Sequence, residues 1–213
     1  MSKNILIIGD KGQIGTAIKQ IEQEAGNTVH GIDLDTSAEM SKDKPLDVLH
    51  ICIPFNDKDS FIQIVLNHIK NYSPHLTIIH STVQVETTNT IKDMIKTHVV
   101  HSPCMGLHPD LKDSIQTFIK IIGGDKEASE LCQKHYSDIG IKYLAYSGSK
   151  ESELAKLAST TYYAHCIEFM KSLYHTCKDL DVNFDEVYTR TNEIYNDGYE
   201  RMDIRHVQRP ILK

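Results

Sequence analysis

The chain has 213 residues, 40% hydrophobic and 24% charged, which excludes wholesale disorder and allows a sizeable core without disulfide or metal staples. Its 23 lysines and arginines against 29 acids leave a formal charge of −6, so no general attraction to nucleic-acid phosphates is expected. No apolar run is long enough to cross a bilayer, and the opening residues show no leader pattern, so neither a membrane span nor a signal peptide is expected.

Short apolar runs alternate with amphipathic stretches up to residue 146. Strands are expected at 4–9, 28–33, 48–53, 76–80, 99–101, 118–122 and 142–146, with helices at 13–24, 57–70, 86–96 and 125–138. In the second helix Phe61, Ile62, Val65, Leu66 and Ile69 recur at spacings of three and four, making one apolar face. Continuous apolar strands alternating with helices imply a doubly wound, mainly parallel α/β sheet of Rossmann type.

The first strand runs into Gly9-Asp10-Lys11-Gly12-Gln13-Ile14-Gly15, a glycine-spaced turn between strand and helix. Gly9 permits the tight turn, Gly12 lets a pyrophosphate approach the backbone, and Gly15 allows helix and strand to pack closely. The helix start then offers unpaired N–H groups and a partial positive charge. Asp33, at the end of the second strand, stands eighteen residues beyond Gly15, near the spacing of a ribose-binding acid. It would repel a 2′-phosphate, and no arginine follows closely, so NAD is favoured over NADP. Gly9, Lys11, Gly12, Gln13, Ile14 and Asp33 are the expected cofactor contacts from this region. The stretch 36–45 reads as a surface connection.

After Ser147-Gly148-Ser149 the pattern changes. Residues 150–178 contain no glycine or proline and read as one long helix, followed by another over 184–199 that Gly198 closes in a left-handed conformation. The chain divides accordingly into a dinucleotide-binding domain (1–148) and a helical segment (149–213). A lone helix pair needs a neighbour, so a homodimer through the long helix is expected. Arg201, Arg205 and Arg209 follow at intervals of four, as a solvated basic tail or an anion contact. Cys52, Cys104, Cys132, Cys166 and Cys177 are scattered without a zinc-knuckle spacing, which reads as free thiols in a reducing cytoplasm, with no metal site.

Further motifs carry a family resemblance. Asp47-Val48-Leu49-His50-Ile51-Cys52-Ile53-Pro54, Ile78-Ile79-His80-Ser81-Thr82-Val83 and Glu153-Leu154-Ala155-Lys156-Leu157-Ala158 resemble, in order and spacing, the third strand, fourth strand and central helix of the UDP-glucose/GDP-mannose dehydrogenase family. The resemblance implies an NAD-binding domain joined to a dimerising helix, with Ile53, Pro54, Ser81 and Thr82 beside the cofactor. It also implies that Thr82 lies near the reacting carbon and that Lys156 polarises a substrate oxygen. Helical spacing puts Glu153, Lys156, Thr160 and Tyr163 on one face, so a surface pair of Lys156 with Glu153 is the structural alternative.

The chain departs from the family in three places. The cysteine after Gly-Gly-His, beyond the central helix, has no counterpart in these residues. The asparagine four positions after the lysine is Thr160, and the Ser-Pro-Glu pattern reads Ser102-Pro103-Cys104. Gly106-Leu107-His108-Pro109 resembles a stretch of prephenate dehydrogenases, which implies that His108 assists oxidation of a hydroxyl. Catalysis is thus expected from Lys156, His108, Thr82 and Thr160. The reading is an NAD-dependent oxidoreductase acting on a secondary alcohol or related small substrate. Its alternative is a non-catalytic NAD(H)-binding sensor or accessory subunit of a split nucleotide-sugar dehydrogenase.

Overall fold

A computed structural model describes residues 2–34, 45–95, 97–106 and 111–212. His108 and nearly all of the 36–45 connection lie outside the described residues. The chain divides into two compact units, Met1–Leu157 and Ala158–Lys213, so the division falls inside the long helix rather than at its start.

Five strands of the first unit, β1 (Asn4–Ile8), β2 (Thr28–Ile32), β3 (Val48–Ile51), β4 (Leu76–Ile79) and β5 (Val99–His101), form a parallel sheet in the order β2-β1-β3-β4-β5. Its helices are α1 (Gln13–Glu24), α2 (Lys58–Tyr72), α3 (Thr87–Ile95), α4 (Leu111–Thr117) and α5 (Lys126–Asp138). Alternation along β1 explains its unbroken apolar run. Ile5 and Ile7 join one core cluster with Ile18, Cys132 and Tyr136, while Leu6 and Ile8 join another with Phe61, Val65 and Ile91. Each fully buried side chain of this kind contributes about 1.5–3 kcal/mol. The expected apolar face of α2 is the one buried, and Asp57 caps that helix by accepting from the Ser60 amide at 2.9 Å.

The last two strands do not extend this ladder. β6 (Lys120–Ile122) and β7 (Tyr143–Ala145) form their own parallel pair, joined to β5 by an isolated antiparallel bridge between His101 and Gly123. The expected single sheet is therefore a five-stranded sheet plus a parallel pair. β6 also starts later than the expected strand at 118–122: Phe118 and Ile119 lie outside it and are half-exposed, whereas Lys120 is buried. Hydropathy alone favours the reverse, and hydrogen bonds to the lysine decide it.

The second unit contains most of α6 (Ser149–Asp179), then a π-helical turn at Asp185–Arg190 that runs into α7 (Thr191–Arg201). Tyr174, Phe184 and Tyr188 form an aromatic row with centroids 5.5 and 5.2 Å apart. Gly198 does not end α7 as expected. The helix continues to Arg201, and Asp203 takes the left-handed conformation, at φ 55°. The tail arginines are engaged locally: Arg201 pairs with Asp197 at 2.5 Å, and the Arg209 guanidinium lies 3.6 Å from the Tyr195 ring centroid. Among the described residues no helix is long and apolar enough to cross a membrane, and all five cysteines are unpaired thiols.

Candidate dinucleotide-binding site

β1 lies between β2 and β3, so the chain order reverses beside it and a crevice opens at the strands' carboxyl ends. The glycine turn sits there. Gly9 has φ +84°, and a Cβ on it would come within 2.6 Å of the Cys52 carbonyl oxygen. Its N–H donates to the Ile32 oxygen at 2.7 Å, and the Gly12 N–H donates back to the Gly9 oxygen at 3.2 Å. A Cβ on Gly15 would overlap the Gly9 carbonyl, so only glycine lets α1 start this close to β1. No side chain caps α1, and no acid stands in its first turn, which leaves the helix end suited to an anion.

Asp33 closes the other side. Its carboxylate accepts from the Leu34 amide at 2.8 Å and from the Lys11 amide at 3.1 Å. Those two amides hold its carboxyl below the usual carboxylate range. A cleft of about 650 Å³ runs between these groups, lined by Gly9, Lys11, Gly12, Asp33, Ile53 and Pro54 among others. That volume suits a cofactor site.

Not every expected contact has its side chain in the cleft. Ile14 packs against the core, and Gln13 lines a separate recess with Thr16 and Lys112, so both would act through their backbone amides. The Ser81 hydroxyl donates to the Ile53 oxygen at 2.6 Å and braces the cleft wall. Thr82 follows β4 and is exposed. Ile64 and His68 of α2 line the cleft and escaped the sequence reading. The available signal was Ile64 itself, an apolar residue outside the helix's core stripe.

Lys156, half-buried on α6, donates to the Cys104 carbonyl oxygen at 2.8 Å, and burial pulls its ammonium below the usual lysine range. The Glu153 side chain is engaged elsewhere. That carboxylate is fully buried and accepts from the Glu86 amide at 2.7 Å and from the Thr88 amide and hydroxyl at 2.9 and 2.7 Å. It therefore satisfies the start of α3, because buried helix amides without a partner are costly. Thr160 is exposed and belongs to the second unit.

The strand order and the crevice define a Rossmann-type α/β fold. With 26% identity over 158 residues, the chain is similar to the UDP-N-acetyl-D-mannosamine dehydrogenase of Methanococcus vannielii, across 67% of this chain and 37% of that protein. Its fold is similar to the UDP-D-ManNAc dehydrogenase of Pyrococcus horikoshii (TM-score 0.78, 18% identity, 89% of this chain and 57% of that one). It is also similar to a UDP-glucose dehydrogenase of Pyrobaculum islandicum (TM-score 0.75, 17% identity, 90% and 57%). The chain thus spans less than two thirds of the length of these relatives. No family model matches it. The resemblance to UDP-glucose/GDP-mannose dehydrogenases read from the motifs is borne out by these matches.

Proposed function

We propose that the chain binds NAD in the cleft between β1 and β3 as the cofactor-binding part of an NAD-dependent dehydrogenase. The enzyme moves a hydride between a secondary alcohol or related small substrate and the nicotinamide. The carrying observation is the pairing of the uncapped α1 start with the oriented Asp33 carboxylate across one cleft. The amides after Gly12 bind the diphosphate, Asp33 accepts the ribose hydroxyls, and Ile53, Pro54, Ser81 and Thr82 form the wall toward the nicotinamide. NAD supplies the hydride acceptor when bound. Lys156 stabilises the developing alkoxide, and His108 takes the hydroxyl proton. The names of the relatives support a nucleotide sugar as the substrate class.

Calorimetry with NAD+ and NADH tests the core of this reading. Heat from at least one redox form, lost in Asp33→Ala, is expected, and silence from both overturns it. Cys104 stands where the resembled family carries a carboxylate, which favours a second reading as a non-catalytic accessory subunit. NADH binding with no hydride exchange on UDP-N-acetylmannosamine or a panel of secondary alcohols would select that reading.

We also infer that two copies pair through α6. Tyr162, Phe169 and Tyr174 stand exposed along it, and such faces mark association surfaces. Light scattering is expected to give a dimer that Phe169→Glu dissociates, and a monomer at micromolar concentration counts against it. Five unpaired thiols support action in a reducing cytoplasm.

A further inference from the structure

The core of the first unit holds a chain of ionisable side chains that the cofactor site does not use. Glu22 of α1 is fully buried, with Oε1 3.1 Å from His50 Nε2 on β3 and 2.8 Å from His135 Nε2 on α5. Its other oxygen accepts from Asn27 Nδ2 at 2.6 Å. His50 Nδ1 lies 2.8 Å from His80 Nε2, with the ring planes 15° apart. On its far side His80 Nδ1 meets Lys120 Nζ at 3.3 Å and the Ser102 carbonyl at 3.0 Å. Lys120 itself, 2% exposed, donates to the Ser102 and Pro103 carbonyls at 2.8 and 3.1 Å and to Cys104 Sγ at 3.3 Å.

Counting hydrogens along this chain leaves one degree of freedom. The Lys3 ammonium, 3.2 Å from His135 Nδ1, makes that nitrogen an acceptor, so His135 donates to Glu22 through Nε2. His50 donates to the same carboxylate. The His50–His80 contact then holds one hydrogen, which either nitrogen can carry. If His80 carries it on Nε2, its Nδ1 accepts from Lys120. If His50 carries it on Nδ1, His80 takes a second hydrogen, in place of the first, on Nδ1 from Lys120 and donates it to the Ser102 carbonyl. Both arrangements find partners in the same geometry.

We propose that Lys120, His80, His50 and Glu22 form a proton relay through the core, in which one proton moves between the Lys120 ammonium and the His50 ring. In the forward step an N–H bond breaks at Lys120 Nζ as one forms at His80 Nδ1, and the His80 Nε2–H bond breaks as one forms at His50 Nδ1. Lys120 ends as an amine, His80 remains neutral with its hydrogen moved, and His50 becomes an imidazolium beside the Glu22 carboxylate. No electrons are exchanged and the total charge is unchanged.

Burial sets the resting arrangement. Burial holds both His50 and His80 below the usual histidine range, in His80 with help from the Lys120 charge. Burial alone would raise Glu22, but hydrogen bonds from His135 and His50 overcome it and hold its carboxyl well below the usual range. Both rings are therefore neutral at rest. The other ionisable groups whose electrostatics involve Lys120 are Cys52, His101, Cys132 and Lys156, together with the contacting Cys104.

A divalent cation is the rival occupant, since ligand atoms of Glu22, His50 and His135 lie within 4.8 Å of one another. Binding it would need a bare Nε2 on His135 and hence a hydrogen on Nδ1, which the Lys3 ammonium opposes. A proton fits the donors and acceptors as they stand. The consequence reaches the carboxyl edge of the sheet, because Lys120 meets Cys104 through sulfur while Lys156 meets its carbonyl. Moving the proton to His50 removes a like charge from beside Lys156. Its use in catalysis rests on the dehydrogenase reading, whereas the relay itself does not.

Long-range 1H–15N spectra of the 15N-labelled full chain report which ring nitrogens carry hydrogen, without any substrate. Near neutral pH, His50 and His80 are expected neutral with hydrogen on Nε2. In Lys120→Met the hydrogen of both rings is expected to rearrange, with His80 shifting to Nδ1 and His50 taking a proton from solvent on Nδ1. A change confined to His80 overturns the relay. Acid titration of the unsubstituted chain decides the matter independently of how that variant folds. His50 should take up the charge at the same midpoint at which the His80 hydrogen moves, and separate midpoints overturn the proposal. Zinc added alone should leave the His50 and His135 signals in place, and their loss would assign the cluster to a metal instead. Because none of these readings involves turnover, the relay and the dehydrogenase reading can fail separately.

Discussion

The amide of Lys11, in the glycine turn, donates to the Asp33 carboxylate at the end of β2, at 3.1 Å. This bond ties the glycine turn to the end of the neighbouring strand and orients the acid within the cleft. Asp33→Ala should weaken NADH binding by roughly tenfold or more, as expected for losing charge-assisted hydrogen bonds. Calorimetry would show this, and an unchanged affinity would remove Asp33 from the site.

The close approach at Gly15 gives a second expectation. A methyl group there overlaps the Gly9 carbonyl, so α1 or the turn has to move. Gly15→Ala should cost about 1–3 kcal/mol in urea unfolding, the usual range for overpacking. It should also loosen NADH binding, because the same shift displaces the helix amides.

Glu153 and Lys156 are three residues apart, but their removal should read out differently. Glu153→Ala strips a buried acceptor from the Glu86 and Thr88 amides and should cost about 2–3 kcal/mol of stability. The measurement is again the urea midpoint, and a stable variant would contradict the capping role.

Lys156→Ala should instead leave stability and NADH affinity close to those of the parent. The proposed turnover should fall by about 10²-fold, in line with the loss of one oxyanion partner. Turnover at the parental rate would remove Lys156 from the mechanism.

The buried histidines predict a direction for pH dependence. Burial lowers His101 to about 3, so the folded protein refuses a proton that the unfolded chain binds below its ordinary value near 6.5. Stability from this group is present above that value and is lost as pH falls toward 3, at up to about 1.4 kcal/mol per pH unit. His50 and His80 act in the same sense. The lowered Glu22 adds a further loss, because its contribution is present above its unfolded value and disappears as acid protonates it. Urea midpoints should be level above neutrality and decline from about pH 6.5 downward. A flat profile to pH 4 would refute the buried-neutral assignment.

The geometry of the candidate site was largely legible because it depends on spacing along the chain. Gly9, Gly12 and Gly15 are needed where strand meets helix, and Asp33 ends the neighbouring strand, so local order positions all four. Ile64 and His68 were not legible, since they reach the cleft only through the docking of α2. Glu153 misled for a related reason. Helical periodicity offers it Lys156 as a neighbour, whereas the fold brings it the Glu86 and Thr88 amides at the start of α3.

By itself the sequence determined the alternation of strands and helices, the parallel sheet and the glycine turn, because periodicity and glycine spacing act over a few residues. Tertiary structure alone decided that Lys120 turns inward, that β6 and β7 leave the main ladder, and that Glu22, His50 and His80 line up in the core. A buried charge is tolerated only where partners from distant segments converge on it, and that convergence is a property of the folded chain.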